Sequence, residues 1–215
     1  MNMTEQKVEF IIDKRRIFPV ADEQLFSRLL VDFETMRFMT RPSDTTQIRN
    51  IIQLHCRNAK NIIDATAGIG GDSIAFCKNF EHVVSIEIDP HRFSFLENNI
   101  NVYNFKNIDL IQGDCLTIIP SLKNIDVIFI DPPWGGNGYK NKQLLKLTLS
   151  NIELESVILK FISNSDMLCV PKLIILKMPK NYDIKYLFSK IKKENNEIYL
   201  YELKKMFIIA IKIVK

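Results

Sequence analysis

The chain has 215 residues, of which 47% are hydrophobic and 25% charged, with a net charge of +4. That length fits one domain with appended segments better than two full domains. The composition excludes wholesale disorder, a collagen-like repeat and a disulfide scaffold, and the charge permits an anionic partner such as nucleic acid without requiring one.

In chain order, residues 21–30 and 44–57 read as helices, the second following Pro42 with Asp44 and Gln47 spaced as a capping box. They form a helical N-terminal extension, residues 1–59, expected to lie over the sheet's carboxyl edge. From about Lys60, apolar runs bounded by turn residues alternate with helix-period segments, the pattern of a mainly parallel sheet with helices on both faces. Strands are predicted at 61–65, 82–88, 108–112, 125–131 and 172–178, followed by 197–203 and 206–214. The first five are rich in Ile and Val with little polar alternation, as strands covered on both faces should be. The last two are separated only by Lys204 and Lys205, too few residues for a crossover helix, so they form an antiparallel hairpin. Residues 142–164 read as helix in two pieces broken near Ser150 and Asn151, and 116–122 as a further helix. The expected fold is α/β, Rossmann-like: seven strands, mainly parallel, ending in an antiparallel hairpin, which is the architecture of class I methyltransferases.

The chemistry sits at the ends of the predicted strands. The first runs into Asp64-Ala65-Thr66-Ala67-Gly68-Ile69-Gly70-Gly71-Asp72-Ser73, a glycine-rich turn opening a helix near Gly71. Glycines let backbone turn tightly and approach a nucleotide-like ligand, and Asp64, Ala65, Thr66, Gly68 and Gly70 are the candidate cofactor contacts. Ser73 stands where a full dinucleotide fingerprint has its third glycine, which argues against a pyrophosphate cofactor. Glu87 closes the second strand at the distance where an acid hydrogen-bonds ribose hydroxyls. Asp89-Pro90 instead has the pattern of a helix cap followed by Pro at the first helical position. Gly113-Asp114 falls at the third carboxyl-edge loop, where Asp114 either accepts from an adenine amine or caps the next helix. Asp131-Pro132-Pro133-Trp134-Gly135-Gly136 leaves the fourth strand. Such a turn sets oxygen acceptors beside an aromatic ring, so that an exocyclic amine is gripped by its hydrogens while the base is stacked. Methyl transfer to an amino nitrogen needs little acid–base power, because a sulfonium is already a positively charged leaving group and positioning carries most of the rate.

Together Asp64-Ala-x-x-Gly68-x-Gly70-Gly71, Ile86-Glu87-Ile88-Asp89-Pro90, Gly113-Asp114 and above all Pro132-Pro133-Trp134-Gly135-Gly136-x-x-Tyr139 resemble the RNA cap guanine-N2 methyltransferases, the trimethylguanosine synthases. The resemblance runs from roughly Arg37 to the C-terminus and implies S-adenosylmethionine as cofactor and 7-methylguanosine-capped RNA as partner. It implies further that Trp134 stacks on the 7-methylguanine, that Asp131 and the Pro132 carbonyl region face N2, and that Tyr139 lies near the cap phosphates. In Met178-Pro179-Lys180-Asn181, Lys180 is by implication a phosphate contact with Asn181 beside it, and Phe38 is an active-site wall. A charged 7-methylguanine attracts an indole face through dispersion and cation–π attraction, worth ~2 kcal/mol or more when desolvated. The triphosphate bridge requires cations, for which Lys180, Lys140, Arg37 and Arg41 are the candidates. One departure is Asp131 itself: many members of the family carry Ser there, and Asp resembles the adenine-N6 enzymes.

The expected activity is therefore methyl transfer to N2 of a 7-methylguanosine cap. The alternatives are an internal guanine N2 or adenine N6 of RNA or DNA, or a catalytically idle cap- or RNA-binding subunit, against which the retained glycine turn, Glu87 and Asp131 argue. Four dispersed cysteines (Cys56, Cys77, Cys115, Cys169) read as buried thiols of a reducing compartment, and His55, His82 and His91 lack ligand spacing, so no metal is expected. With no signal-peptide pattern and no apolar run near the ~20 residues of a bilayer span, an intracellular monomer is expected, nuclear or cytoplasmic, cellular or virus-encoded.

Overall fold

A computed structural model describes residues 13–19, 23–36, 38–163, 165–192 and 196–214. Its strands in chain order are β1 (Asn61–Asp64), β2 (His82–Glu87), β3 (Ile108–Gln112), β4 (Val127–Ile130), a two-stranded ribbon β5 (Thr148–Leu149) and β6 (Ile152–Glu153), then β7 (Leu173–Pro179), β8 (Asn196–Glu202) and β9 (Met206–Ile213). Seven of them make one sheet in the order β3-β2-β1-β4-β7-β9-β8. The first five of that order run parallel, and β9 is antiparallel to both β7 and β8. All seven predicted strands are thus present to within two residues at each end, hairpin included. The strand order reverses between β1 and β4, and open α/β sheets bind ligands outside the carboxyl ends of their strands at such a point.

The helices are α1 (Glu23–Arg28), α2 (Phe33–Met36), α3 (Pro42–His55), α4 (Gly71–Cys77), α5 (Pro90–Tyr103), α6 (Cys115–Ile118), α7 (Leu154–Ile162) and α8 (Ile184–Ile191). Alternate residues of the central strands feed opposite cores. Ile128, Ile130, Ile174 and Leu176 pack under α6, α7 and α8, while Val127, Phe129, Leu173 and Ile175 pack under α3 and α4. Both faces are covered, which is why these strands show no polar alternation. A third cluster joins Ile17, Phe18 and Leu29 to Ile69 and Leu96 across α4 and α5.

Three expectations change. First, α3 begins at Pro42, not Asp44: Arg41 is the extended N-cap, without a side-chain cap bond, and Asp44 lies in the first turn. Pro at the first helical position needs no N–H partner and has its φ preset, so it starts the helix by itself. Second, α3 sits on the sheet face, burying Ile48, Ile51 and Ile52; the segment before it and its first turn reach the carboxyl edge. Third, the first part of 142–164 is not helical. Leu145, Leu147 and Leu149 are buried while Lys146, Thr148 and Ser150 are exposed, a period of two that belongs to extended chain. Ser150 and Asn151 take φ of 49° and 63° and turn β5 into β6, so the expected helix break is a hairpin turn. The cysteines are free thiols, Cys77 and Cys115 buried and Cys56 and Cys169 half-buried. Among the described residues no helix is long and apolar enough to cross a membrane.

Candidate active site

The carboxyl ends of β1, β2, β4 and β7 converge, and their register sets which side chains meet. Beyond β1, Gly68 has φ +56°, and an added Cβ there would meet nothing within 4 Å. Its N–H donates to Glu87 Oε2 at 2.7 Å, and the Asp89 N–H donates to Oε1 at 2.9 Å. Each carboxylate oxygen keeps a second lone pair, so Glu87 is fixed at the lip of the turn with acceptor capacity left. Asp89 caps α5, accepting from the Arg92 N–H at 2.9 Å, as its sequence context requires. Asp114 caps α6 in the same way through the Leu116 N–H at 2.9 Å, so at least one of its oxygens is structural. Gly70, grouped with the cofactor contacts by its motif, has a packing role: at φ +95° it caps α4, and a Cβ would lie 2.8 Å from Leu96 Cδ1. Ala65 is buried, its N–H donating to the Phe129 carbonyl at 2.9 Å.

On the acceptor side, β4 pairs with β7 so that Ile130 lies opposite Leu176. The next residues, Asp131 and Lys177, are therefore neighbours on the same face. They form an ion pair in which the Lys177 side chain is 2% exposed and that of Asp131 21%. Lys177 Nζ also donates to the Phe38 carbonyl at 3.4 Å and lies 5.6 Å from the centre of the Trp134 ring. Trp134, half-buried, donates its indole N–H to the Lys177 carbonyl at 3.3 Å and meets Tyr139 edge-on with ring centres 5.3 Å apart. Pro132 is buried beneath the turn. The Asp131 N–H donates to Thr66 Oγ1 at 2.8 Å, joining the acceptor turn to the turn after β1.

Behind both lies a buried acidic cluster. Asp64 Oδ2 accepts from the Ser73 hydroxyl at 2.6 Å, and Ser73 Oγ accepts from Ser85 at 2.8 Å. Asp64 Oδ1 is buried without a hydrogen-bond partner among the described residues. Asp72 accepts from the Thr40 and Thr45 hydroxyls at 2.5 and 3.0 Å, which ties the segment before α3 to the site. Burial, reinforced by the charge of Asp72, pushes the Asp64 carboxyl up to about 8. Burial likewise raises Asp131 to about 6, opposed by Lys177 and by the Trp134 indole N–H. Burial pulls against the Lys177 ammonium, yet the carboxylates of Asp131, Asp72 and Asp64 hold it above the ordinary lysine range.

Lys177 escaped the sequence reading. Its signal was a single lysine inside Leu-Ile-Ile-Leu-Lys-Met-Pro, a strand buried at every position. Lysine is almost never fully buried unless paired, so that position should have prompted a search for its acid. The other predicted acceptor residues are more dispersed. Lys180 is paired with Glu202 at 2.5 Å, so its charge is already matched. Asn181 donates to the Tyr139 and Lys142 carbonyls at 2.7 and 2.6 Å, which makes it a tie for the loop carrying Tyr139 rather than a group with a free amide N–H pair. Arg41 and Lys140 are exposed, Phe38 is 37% exposed, and Arg37 lies outside the described residues. No group of three or more His, Cys, Asp or Glu that could hold a metal occurs among the described residues.

The model of a protein family described as RNA cap guanine-N2 methyltransferase matches residues 59–211. An uncharacterized protein of Acanthamoeba polyphaga mimivirus is 32% identical over 93% of this chain and 85% of its own length. The trimethylguanosine synthase of Schizosaccharomyces pombe is 33% identical over 59% of this chain and 53% of its own. Ribosomal RNA small subunit methyltransferase J of Francisella philomiragia is 28% identical over 85% and 82%. The solved S-adenosylmethionine-dependent O-methyltransferase of Thermotoga maritima superposes with a TM-score of 0.62 at 13% identity, covering 85% of this chain and 70% of that one, a likeness of fold. The residues present fit S-adenosylmethionine as cofactor. The space over Gly68 is open, Glu87 stands at its lip, and the unpartnered Asp64 oxygen lies at the base of the same turn. Two buried carboxyl groups, Asp64 and Asp72, and the half-buried Asp131 face one buried ammonium, which suits a ligand bearing a sulfonium and an ammonium group.

Proposed function

The chain belongs to the RNA cap guanine-N2 methyltransferase family and takes its methyl group from S-adenosylmethionine; on that premise we propose that it methylates the exocyclic N2 of a 7-methylguanosine RNA cap. The product is 2,7-dimethylguanosine, and a second round gives 2,2,7-trimethylguanosine. The observation that carries the reading is Trp134, the chain's only tryptophan, fixed by its N–H on the strand neighbouring Asp131.

When bound, the cofactor supplies a methyl group on a sulfonium. Glu87 holds the ribose end, and the open turn at Gly68 lets backbone approach the nucleoside. Trp134 stacks the acceptor base, and Phe38 and Tyr139 form the walls of the same pocket. Asp131 accepts an N–H of the amine, which orients its lone pair toward the electrophile; the lone pair is otherwise delocalised into the purine ring. After transfer the nitrogen is cationic and acidic and passes its proton to water, so no strong base is needed and positioning carries the rate.

A second reading, methylation of an internal guanine N2 or adenine N6 of RNA or DNA, is favoured by Asp131, where many members of the family carry Ser. One experiment separates the two: incubation with labelled S-adenosylmethionine and three acceptors, namely GTP, 7-methyl-GTP and capped RNA. Label should enter 7-methyl-GTP and capped RNA and leave GTP unlabelled. Equal labelling of GTP and its 7-methyl form, or labelling only within the RNA body, overturns the cap reading.

A further inference from the structure

We propose that Lys177 is the positioning residue of the acceptor site: its ammonium keeps the Asp131 carboxylate ionised and turned toward the methyl-accepting amine. The inference rests on the proposed amine methylation but not on which base carries the amine.

Three contacts support it. Lys177 Nζ meets Asp131 Oδ2, donates to the Phe38 carbonyl at 3.4 Å and stands 5.6 Å from the Trp134 ring centre, so one buried cation lies against the acid, the stacking ring and the Phe38 backbone together. The backbone of the same residue receives the Trp134 indole N–H at 3.3 Å. Lys177 therefore fixes the stacking ring through its carbonyl and the acid through its side chain, and the β4–β7 register places both without adjustment.

Chemistry requires such a residue. Asp131 is enclosed by Asp72 on α4, which repels its charge, by Asp64 at the end of β1 and by the Trp134 indole; the cation that meets it is Lys177. Burial already raises the Asp131 carboxyl to about 6. A protonated Asp131 would present a donor where the amine needs an acceptor. The sign is fixed: activity carried by ionised Asp131 is present above its pKa and lost as pH falls through it. Removing the Lys177 charge raises that pKa and moves the loss to higher pH.

The test compares full-length wild type, Lys177→Gln, Asp131→Asn and the double variant, on whichever acceptor the wild type methylates. Cofactor affinity by titration calorimetry and thermal melting report the state of the fold. Lys177→Gln should keep cofactor affinity within about threefold, lower kcat by about a hundredfold at pH 7, and shift the acidic limb of its pH profile up by a unit or more. The double variant should be no slower than Asp131→Asn alone, because an uncharged amide leaves Lys177 nothing to hold ionised. An unmoved acidic limb, or losses that add in the double variant, overturns the role. Should Lys177→Gln not fold, the double variant, free of an unpaired buried charge, still decides by its comparison with Asp131→Asn. Failure of the cap reading would appear separately, as a different acceptor consumed with the same dependence on Lys177.

Discussion

At the cofactor end of the site Glu87, Asp89 and Asp114 are satisfied by backbone, Glu87 accepting from Gly68 and Asp89, Asp89 from Arg92, and Asp114 from Leu116. At the acceptor end Asp131 is satisfied by side chains, Thr66 on its N–H and Lys177 on its carboxylate, 65 residues before it and 46 after. Apart from the Gly68 N–H, which the pairing of β1 with β2 brings to Glu87, the first arrangement needs only a strand followed by a turn, so most of its geometry is written in short spacings. The second depends on sheet register, which brings together residues with no sequence relationship. A backbone-held acid can be removed without stranding another charge, whereas removing Asp131 strands Lys177.

The largest expected effect follows from that asymmetry. Asp131→Ala should cost about 3 to 5 kcal/mol of stability, the loss typical when one partner of a buried ion pair is deleted. Asp131→Asn, which keeps the shape, should fold but lose about a hundredfold or more in turnover with cofactor affinity retained. Melting curves and single-turnover rates check the two, and a stable Asp131→Ala would erase the contrast between the ends. Next, Glu87→Ala should weaken cofactor binding by ~1.5 to 3 kcal/mol while leaving acceptor affinity alone. Asp89→Ala should cost about 1 kcal/mol of stability as a lost cap and little cofactor affinity; matching cofactor affinities for these two variants would remove the ribose role from Glu87.

Trp134→Ala should weaken acceptor binding by ~1 to 3 kcal/mol, with Trp134→Phe between it and wild type, as followed by acceptor titration. Loss of cofactor affinity instead would place the ring at the other end of the site. A last effect concerns Asp64, whose carboxyl is pushed up to about 8 when folded and titrates at about 4 when unfolded. Between those values the native state holds the extra proton, so its share of stability falls as pH rises from about 4 to about 8. Asp64→Asn should flatten that fall in the ligand-free protein, read from melting temperatures at pH 5 and pH 8; an unchanged slope would mean another group carries it.

The same contrast explains what could be read from the sequence. The strands, the hairpin, the glycine turn, Glu87 and the Asp89 cap all rest on local spacing and were legible. Lys177 was not, because its meaning depends on a partner that only the pairing of β4 with β7 supplies. Lys180 and Asn181 were legible as a basic segment, yet Glu202 and the Tyr139 and Lys142 carbonyls, which hold them, come from distant turns. The ribbon of β5 and β6 is hard to read in the sequence because Leu145, Leu147 and Leu149 stand close before α7, whose longer period masks theirs.

Thr66 belongs to the cofactor turn by position and to the acceptor turn by its hydroxyl, which receives the Asp131 N–H at 2.8 Å. One hydrogen bond thus joins the two halves of the cleft. Whatever factor occupancy of one half imposes on affinity in the other must be returned in equal measure. Thr66→Val, similar in shape and lacking the acceptor oxygen, is where that coupling should loosen, so that donor and acceptor affinities measured singly and together become independent.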